Sequence, residues 1–391
     1  MQYRKDRHGE PVSVLGYGCM RFTRNGTGID LEKAKSELLR AIELGVNYFD
    51  TAYLYPGSEA ALGKIFKGGS IRKRINIATK LPQYLVKTRG AIDRYFNEEL
   101  SRLQTGYIDY YLMHMLTDIS EWEQLKRLGI EDWIEEKKSS GQIRNIGFSF
   151  HGSSEMFLKI LDVYDWDFCQ IQYNYMDENS QAGRVGLNAA AAKGIPVIIM
   201  EPLRGGRLIN MLPEKAEKII AEDPEKRSAA ELGLSWLWDQ PEVTCVLSGM
   251  NSIEMVEENC RIASKVTPHS LTYTDQERIN QIRRAINERL RVNCTGCRYC
   301  MPCPQGVDIP GAFRCYNTMY MESKKAGRHE YFQTVALRKE AAFPWQCVNC
   351  GRCVKHCPQQ IPIPDELRKA NRALLPLPYR IALSIARKFV V

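Results

Sequence analysis

Val46-Asn-Tyr-Phe-Asp50-Thr-Ala-Tyr-Leu-Tyr55 decides how this chain reads. A short apolar run, 46–51, ends in an acid, and the loop behind it carries two tyrosines. Runs of the same kind recur at 14–19, 75–80, 108–113, 144–149, 168–171, 196–200 and 243–248. Between them lie stretches of helical character. Residues 30–44 open on an Asp cap and stop at Gly45, and 153–163 and 252–262 each start on a serine cap. Residues 88–103 and 121–138 repeat apolar side chains every three or four positions. Strands that alternate with helices build a parallel sheet with crossover connections. Eight such units in roughly 265 residues predict an α/β fold, a (β/α)8 TIM-type barrel rather than an open sheet.

The pattern changes toward the C-terminus. The stretch 204–239 exceeds what one helix needs and predicts an extra loop or helix over the barrel mouth. The apolar period stops near 266–268, and 273–290 reads as a connecting helix. We expect a barrel at 1–270, a smaller and mostly helical domain at 271–365, and a basic amphipathic tail at 366–391, broken at Pro376 and Pro378. Residues 312–331, extending toward 341, read as helical with a break at Gly327. The tail is expected to pack on the protein, though 380–391 has the amphipathic character of an interfacial helix.

Two cysteine runs lie in that smaller domain: Cys294-Thr-Gly-Cys297-Arg-Tyr-Cys300-Met-Pro-Cys303-Pro304 and Cys347-Val-Asn-Cys350-Gly-Arg-Cys353-Val-Lys-His-Cys357-Pro358. The later run fits the spacing C-x2-C-x2-C-x3-C-P throughout; in the earlier run only two residues separate Cys300 from Cys303. Three thiolates so spaced wrap one face of an iron–sulfur cube, and the fourth cysteine usually ligates the other cluster. Zinc favours separated C-x2-C pairs. Disulfides need an oxidising compartment, whereas the chain opens Met-Gln-Tyr-Arg-Lys-Asp without an apolar signal segment. The expectation is two [4Fe-4S] clusters in a ferredoxin-like domain of a cytoplasmic protein. A swapped pairing puts Cys294, Cys297, Cys300 and Cys357 on one cube and Cys303, Cys347, Cys350 and Cys353 on the other. Cys19, Cys169, Cys245, Cys260 and Cys315 read as buried small hydrophobes, with Cys315 near enough to the first run to serve as a spare ligand.

Side chains at the carboxyl ends of barrel strands face the active site. Asp50 and Tyr55 follow the second run, Lys80 ends the third and His114 follows the fourth. Each alone has an ordinary structural reading; their joint occurrence at consecutive strand ends carries the weight. With Glu59, they closely resemble the aldo-keto reductase family, whose Asp-Thr-Ala-x-x-Tyr segment, lysine and histidine fall at these positions. Together with Met200-Glu-Pro202-Leu203-Arg204-Gly-Gly206, the cysteine runs resemble that family's iron–sulfur branch. The resemblance implies roles. Tyr55 protonates a carbonyl oxygen as hydride reaches carbon. Lys80 lowers the tyrosine's pKa, since a nearby cation favours phenolate. Asp50 holds Lys80, and His114 orients the carbonyl. A phenol with a pKa of about 10 is a weak acid–base near neutrality without such help.

The resemblance also implies a nicotinamide site. Ser149 and Gln170 match the positions that hold the carboxamide, although the usual Ser-Asn pair is Ser149-Phe150 followed by His151. Met200 stands where the family commonly stacks an aromatic, with Pro202 and Leu203 after it. Ser248, Glu258 and Asn259 match the adenosine-binding segment. Met255 falls where many members carry an arginine for the 2′-phosphate, and Gly249 where many carry a lysine. Their loss removes charge-assisted contacts and leaves NADP, NAD and a flavin (FMN or FAD) open. Gly16-Tyr17-Gly18 resembles the turn below the cofactor.

The totals fit this picture. A chain of 391 residues accommodates a barrel and a smaller domain. No uncharged apolar stretch of about 18 residues is present, which excludes a spanning helix. The net charge of +8, spread along the chain, favours an acidic partner such as a ferredoxin or flavodoxin. With no basic stripe interleaved with aromatics, nucleic acid is a poor candidate. The expected function is an oxidoreductase that reduces a carbonyl or related group of a small molecule with NAD(P)H. Tyr55 is its general acid, and the clusters exchange electrons with a partner. Hydride moves two electrons together while a cluster passes one, so electron flow between the halves asks for a mediator. The alternatives are a flavin- or ferredoxin-linked reductase without nicotinamide, and an electron-transfer subunit with the barrel as scaffold. Tyr17, Met20, Tyr53, His151 and Arg204 are the loop positions expected to line the substrate pocket.

Overall fold

The computed structural model describes residues 1–390 except 68, 295, 297–299, 339, 341, 358 and 359, with the side chains of 388–390 also outside the description. Eight parallel strands close into a barrel: β1 (Leu15–Gly18), β2 (Tyr48–Asp50), β3 (Asn76–Leu81), β4 (Ile108–Leu116), β5 (Ile143–Phe150), β6 (Phe168–Gln172), β7 (Val197–Met200) and β8 (Val243–Ser248). They pair in chain order, β8 pairing β1 to close the ring. All eight sequence-predicted strands are present. A hairpin at Tyr3–Lys5 and Pro11–Ser13, which the sequence pattern did not signal, precedes them. It bonds near the starts of the strands, where Tyr110 donates to Asp6 at 2.8 Å.

The barrel interior follows from a two-residue alternation. Tyr48, Ala78, Leu112, Phe168, Ile198 and Cys245 are buried in one apolar cluster. Side chains two positions along a strand share a face. Asp50, Lys80, His114, Gln170 and Met200 each lie two residues beyond one of these, toward the carboxyl end. Register agrees, with Asp50 opposite Ala78, Lys80 opposite Leu112, and Ser149 opposite Gln170. The interior is therefore apolar below and chemical above. Gly16 leaves room for the apolar layer: a Cβ there would stand 2.8 Å from the Cys245 sulfur and 3.2 Å from the Tyr48 ring.

The three helices with a sequence-predicted cap begin where that cap stands. Asp30 accepts from Lys33 N to start Leu31–Glu43, Ser153 from Met156 N and Ser252 from Met255 N. The stretch 121–138 is not one helix but two, Ile119–Arg127 and Ile130–Ser139, because Gly129 turns the chain at φ 75°.

The chain divides into two compact units, Met1–Ile209 with Pro224–Ile279, and Asn210–Asp223 with Asn280–Val391. The first ends at 279, beyond the expected 270. Part of the extra segment after β7, Asn210–Asp223 with the helix Glu214–Ala221, belongs to the second unit. The second unit is helical. Ile309–Met321, Lys324–Tyr331 and Ile363–Leu374 bury Phe313, Cys315, Tyr331, Leu367 and Leu374 in a common core. The break expected at Gly327 falls instead at 322–323, where Ser323 caps the next helix. Gly327 is a packing position: a Cβ there would stand 2.5 Å from Cys315 O and 2.7 Å from Met319 N. The tail packs on this unit, with Leu383 buried and Arg387 Nη1 donating to Ala336 O at 2.8 Å and Arg338 O at 3.0 Å. Among the described residues no helix is long and apolar enough to cross a membrane.

Candidate functional site

The carboxyl ends of β2, β3 and β4 bring Asp50, Lys80 and His114 together, and the loop after β2 returns Tyr55 to them. Lys80 Nζ donates to both Asp50 oxygens, at 2.8 and 2.7 Å, and to Thr51 O at 2.6 Å. Both side chains are almost fully buried. The same ammonium lies 5.2 Å from the centre of the Tyr55 ring. The Tyr55 and His114 rings meet edge to face, 6.3 Å apart.

Burial and charge compete at each group. Burial pushes the Asp50 carboxyl upward against the pull of Lys80. Burial works to lower the Lys80 ammonium, but the charges of Asp50 and Tyr55 outweigh it and its pKa rises. For Tyr55 the balance differs from the sequence expectation. Lys80 does pull the phenol down, yet burial outweighs it and the net shift is upward. Burial, reinforced by Lys80 and His151, holds His114 well below the ordinary imidazole range. At neutral pH the site thus presents an intact phenol, an ammonium and an uncharged imidazole.

On the neighbouring strands the expected nicotinamide contacts come together in part. Ser149, Gln170 and Met200 lie on adjacent strands β5, β6 and β7. Ser149 Oγ accepts from Met115 N at 2.8 Å, which leaves its hydroxyl hydrogen to donate. Gln170 Nε2 donates to the Met200 sulfur at 3.6 Å, while its buried Oε1 has no partner among the described residues. An unmatched buried carbonyl beside a hydroxyl donor suits a carboxamide, which needs one of each. Met200 is half-buried. Pro202 is buried, and Leu203 packs beside Gly233 as core.

At the end expected to take the adenosine, Asn259 Nδ2 donates to Ser248 Oγ at 3.1 Å, and Glu258 accepts from Ser228 at 2.9 Å. Met255 is exposed. Arg21, which the sequence reading passed over, reaches this region after the Gly16–Gly18 strand end. It donates to Gly205 O at 3.0 Å, and a Cβ on Gly249 would lie 3.1 Å from its chain. It brings a cation beside Gly249.

Of the expected pocket residues, Tyr17 does not qualify. It is fully buried and donates to Met250 O at 2.6 Å. Tyr53 is tied to Glu98 at 2.9 Å beneath the Arg102 guanidinium. Arg204 is buried in an ion pair with Asp177 at 2.6 Å. His151 is half-buried and meets Gln181 at 3.2 Å. Met20 is exposed.

The second unit gathers the other chemistry. A cavity of 420 Å³ is lined by Cys303 of the first run and by Cys347, Cys350 and Cys353 of the second. Cys300 also borders it. Cys294 and Cys357 pack against the core of this unit. Cys297 lies outside the described residues. Burial pushes the Cys353 thiol up, and neighbouring Cys347, Cys303 and Cys350 add to the shift. Among the described residues no three Cys, His, Asp or Glu side chains converge closely enough for a single ion; a cube asks instead for thiolates spread around it, each on its own iron. Cys19, Cys169, Cys245, Cys260 and Cys315 are all buried. Cys315 faces Thr334 within the core and is no spare ligand.

A closed parallel barrel with this polar set at its strand ends, and five thiols around one cavity elsewhere, defines an oxidoreductase with an iron–sulfur module. The sequence profile of the Aldo/keto reductase family matches residues 14–284, and a 4Fe-4S dicluster domain matches 293–361. The chain belongs to the aldo/keto reductase family. It is 28% identical over 283 residues to the uncharacterized oxidoreductase YqkF of Bacillus subtilis, covering 65% of this chain and 88% of that protein. L-galactose dehydrogenase of Arabidopsis thaliana is 26% identical over 308 residues, covering 70% and 90%. Among solved structures, the holo form of the aldo-keto reductase AKR11C1 from Bacillus halodurans superposes with a TM-score of 0.59 at 29% identity, over 72% of this chain and 96% of that one.

Proposed function

We propose that the barrel reduces a carbonyl group of a small molecule, with Tyr55 as general acid. The observation that carries this is the buried Lys80 ammonium, clamped by Asp50 and Thr51 O and facing the Tyr55 ring. A scaffold has no need to bury an ion pair under a phenol. Breaking such a pair is costly, which argues that both members stay charged.

The residues share the work as follows. His114, held neutral, donates a hydrogen bond that orients the substrate oxygen. Tyr55 gives its proton to that oxygen as negative charge develops there, and Lys80 stabilises the phenolate left behind. Asp50 fixes the ammonium in place. Ser149 and Gln170 would hold the carboxamide of a nicotinamide cofactor, with Met200 as apolar padding against its ring. When bound, that cofactor supplies the hydride. Met255 and Gly249 weaken the case for a 2′-phosphate, so NADH and NADPH both remain within the proposal.

In the second unit we propose two [4Fe-4S] clusters, one held by Cys303, Cys347, Cys350 and Cys353, the other by Cys294, Cys297, Cys300 and Cys357. They exchange single electrons with an acidic carrier such as a ferredoxin or flavodoxin, in a reducing, cytoplasmic setting. A flavin in the barrel is the second reading, favoured by Met200 in place of a stacking aromatic. The test is aldehyde and ketone reduction by anaerobically purified holoprotein, with NADH and NADPH supplied separately, beside Tyr55→Phe. Reduction that survives Tyr55→Phe at the parent rate sinks the general-acid assignment. A flavin released on denaturation would replace the nicotinamide reading.

A further inference from the structure

The face around Cys350 differs from the rest of the second unit. Among the described cysteines of the two runs, Cys350 is exposed and the others are half-buried. A cluster held by Cys350 therefore has an edge at solvent. Val348, which lines the same cavity, is 62% exposed, and Trp345 and Val354, within five residues of Cys350 in sequence, are 47% and 37% exposed. Arg352 and Lys355, both exposed, flank Cys353. No Asp or Glu occurs anywhere in 341–364, nor in 289–307 around the first run. Just beyond, Asp365 and Glu366 are each paired with a base of their own helix, Arg368 and Lys369, which leaves Arg352 and Lys355 as the exposed charges nearest Cys350 in sequence.

We propose that this face docks an acidic one-electron carrier protein, Arg352 and Lys355 steering it and Trp345, Val348 and Val354 making the contact. The proposal deepens the cluster reading above and rests on it. Each feature fits a transient redox interface. Such contacts are small and short-lived, their rate is set by complementary charge, and Trp and Arg are enriched among their anchoring residues. The reaction is one electron from the reduced carrier to the cluster nearest Cys350: the carrier is oxidised, the cluster reduced, and no bond forms or breaks. The net charge of +8 made an acidic partner plausible without saying where; the acid-free segment around an exposed ligand gives the place.

The test uses holoprotein and an acidic plant-type [2Fe–2S] ferredoxin as probe. Two readouts are taken at low and high salt: the affinity for the oxidised ferredoxin by calorimetric titration, and the rate of cluster reduction by the reduced ferredoxin in stopped flow. In the parent protein both should weaken as salt rises. Arg352→Glu with Lys355→Glu should cut affinity and rate by about tenfold or more at low salt and remove the salt dependence. Arg352→Gln with Lys355→Gln should fall between, which guards against a folding defect in the reversed variant. Lys64→Glu with Lys67→Glu, the same charge change on the barrel, should leave both readouts unchanged. Parent-like affinity, rate and salt slope in the Arg352/Lys355 variants overturn the proposal, as does an equal loss in the barrel control. Mass that rises with concentration and collapses in the Arg352/Lys355 variants would assign the face to a second copy of this chain instead. Holoprotein that lacks iron, or whose absorbance dithionite cannot bleach, defeats the underlying cluster reading, a distinct outcome.

Discussion

The barrel and the cysteine unit bury their reactive groups by different means. In the barrel a rigid two-residue alternation stacks Asp50, Lys80 and His114 directly above Tyr48, Ala78 and Leu112, so position along a strand dictates function. In the second unit the thiols sit on loops and, for Cys353, on the short helix Arg352–Lys355, beside a helical core, and residues far apart in sequence, Cys303 and Cys347, border one cavity. One region orders its chemistry through backbone pairing. The other leaves it to the group the thiols would grip. The first should survive loss of its chemistry, and the second should not.

Tyr55→Phe probes the barrel most sharply. Carbonyl reduction should fall by about 10²–10⁴-fold with the iron–sulfur absorbance intact; bleached absorbance would show that the regions are not independent. Next comes Lys80→Met, which leaves Asp50 buried without its cation and should cost about 3–5 kcal/mol. Tryptophan fluorescence in a urea titration reads this well, because Trp345 is the one tryptophan of six outside the barrel unit. Cys353→Ala should remove one cluster, halving acid-labile sulfide, while nicotinamide-driven reduction continues. Loss of that reduction would mean the barrel depends on the clusters. Gly327→Ala forces a methyl against Cys315 O and should destabilise the second unit by about 1–3 kcal/mol. Its signature is earlier loss of cluster absorbance on heating with the barrel transition unmoved. The smallest effect is a null one. Because burial, and then Lys80 and His151, depress its pKa, His114 should stay neutral where an ordinary imidazole takes up its proton. A ring titration seen by NMR near the ordinary value of about 6.5 would contradict the site's electrostatics.

These contrasts also explain what could be read from the chain alone. The eight strands and the interior face of Asp50, Lys80 and His114 were legible because strand periodicity is local. Glycines were harder, since the same residue serves opposite ends. Gly129 breaks a helix and Gly327 joins two, and only the partner surface tells them apart. The sign of the Tyr55 shift was not legible either. It depends on how much water the folded site excludes, which no neighbour in the sequence reports. Arg21 escaped for a related reason: its contacts, Gly205 and Gly249, lie far along the chain.

Residues 210–223 lie between β7 and β8 in sequence but belong with 280–391. This bears on the order of assembly. As the chain emerges during synthesis, that segment appears well before the portion it packs with. It must wait, unpacked, until the last third of the chain is made, and it cannot settle when the barrel closes. The cysteine unit is thus no appendage that a single cut could detach. A stop codon placed after the barrel would leave 210–223 without its partner, and any attempt to express the halves separately has to begin by replacing that loop.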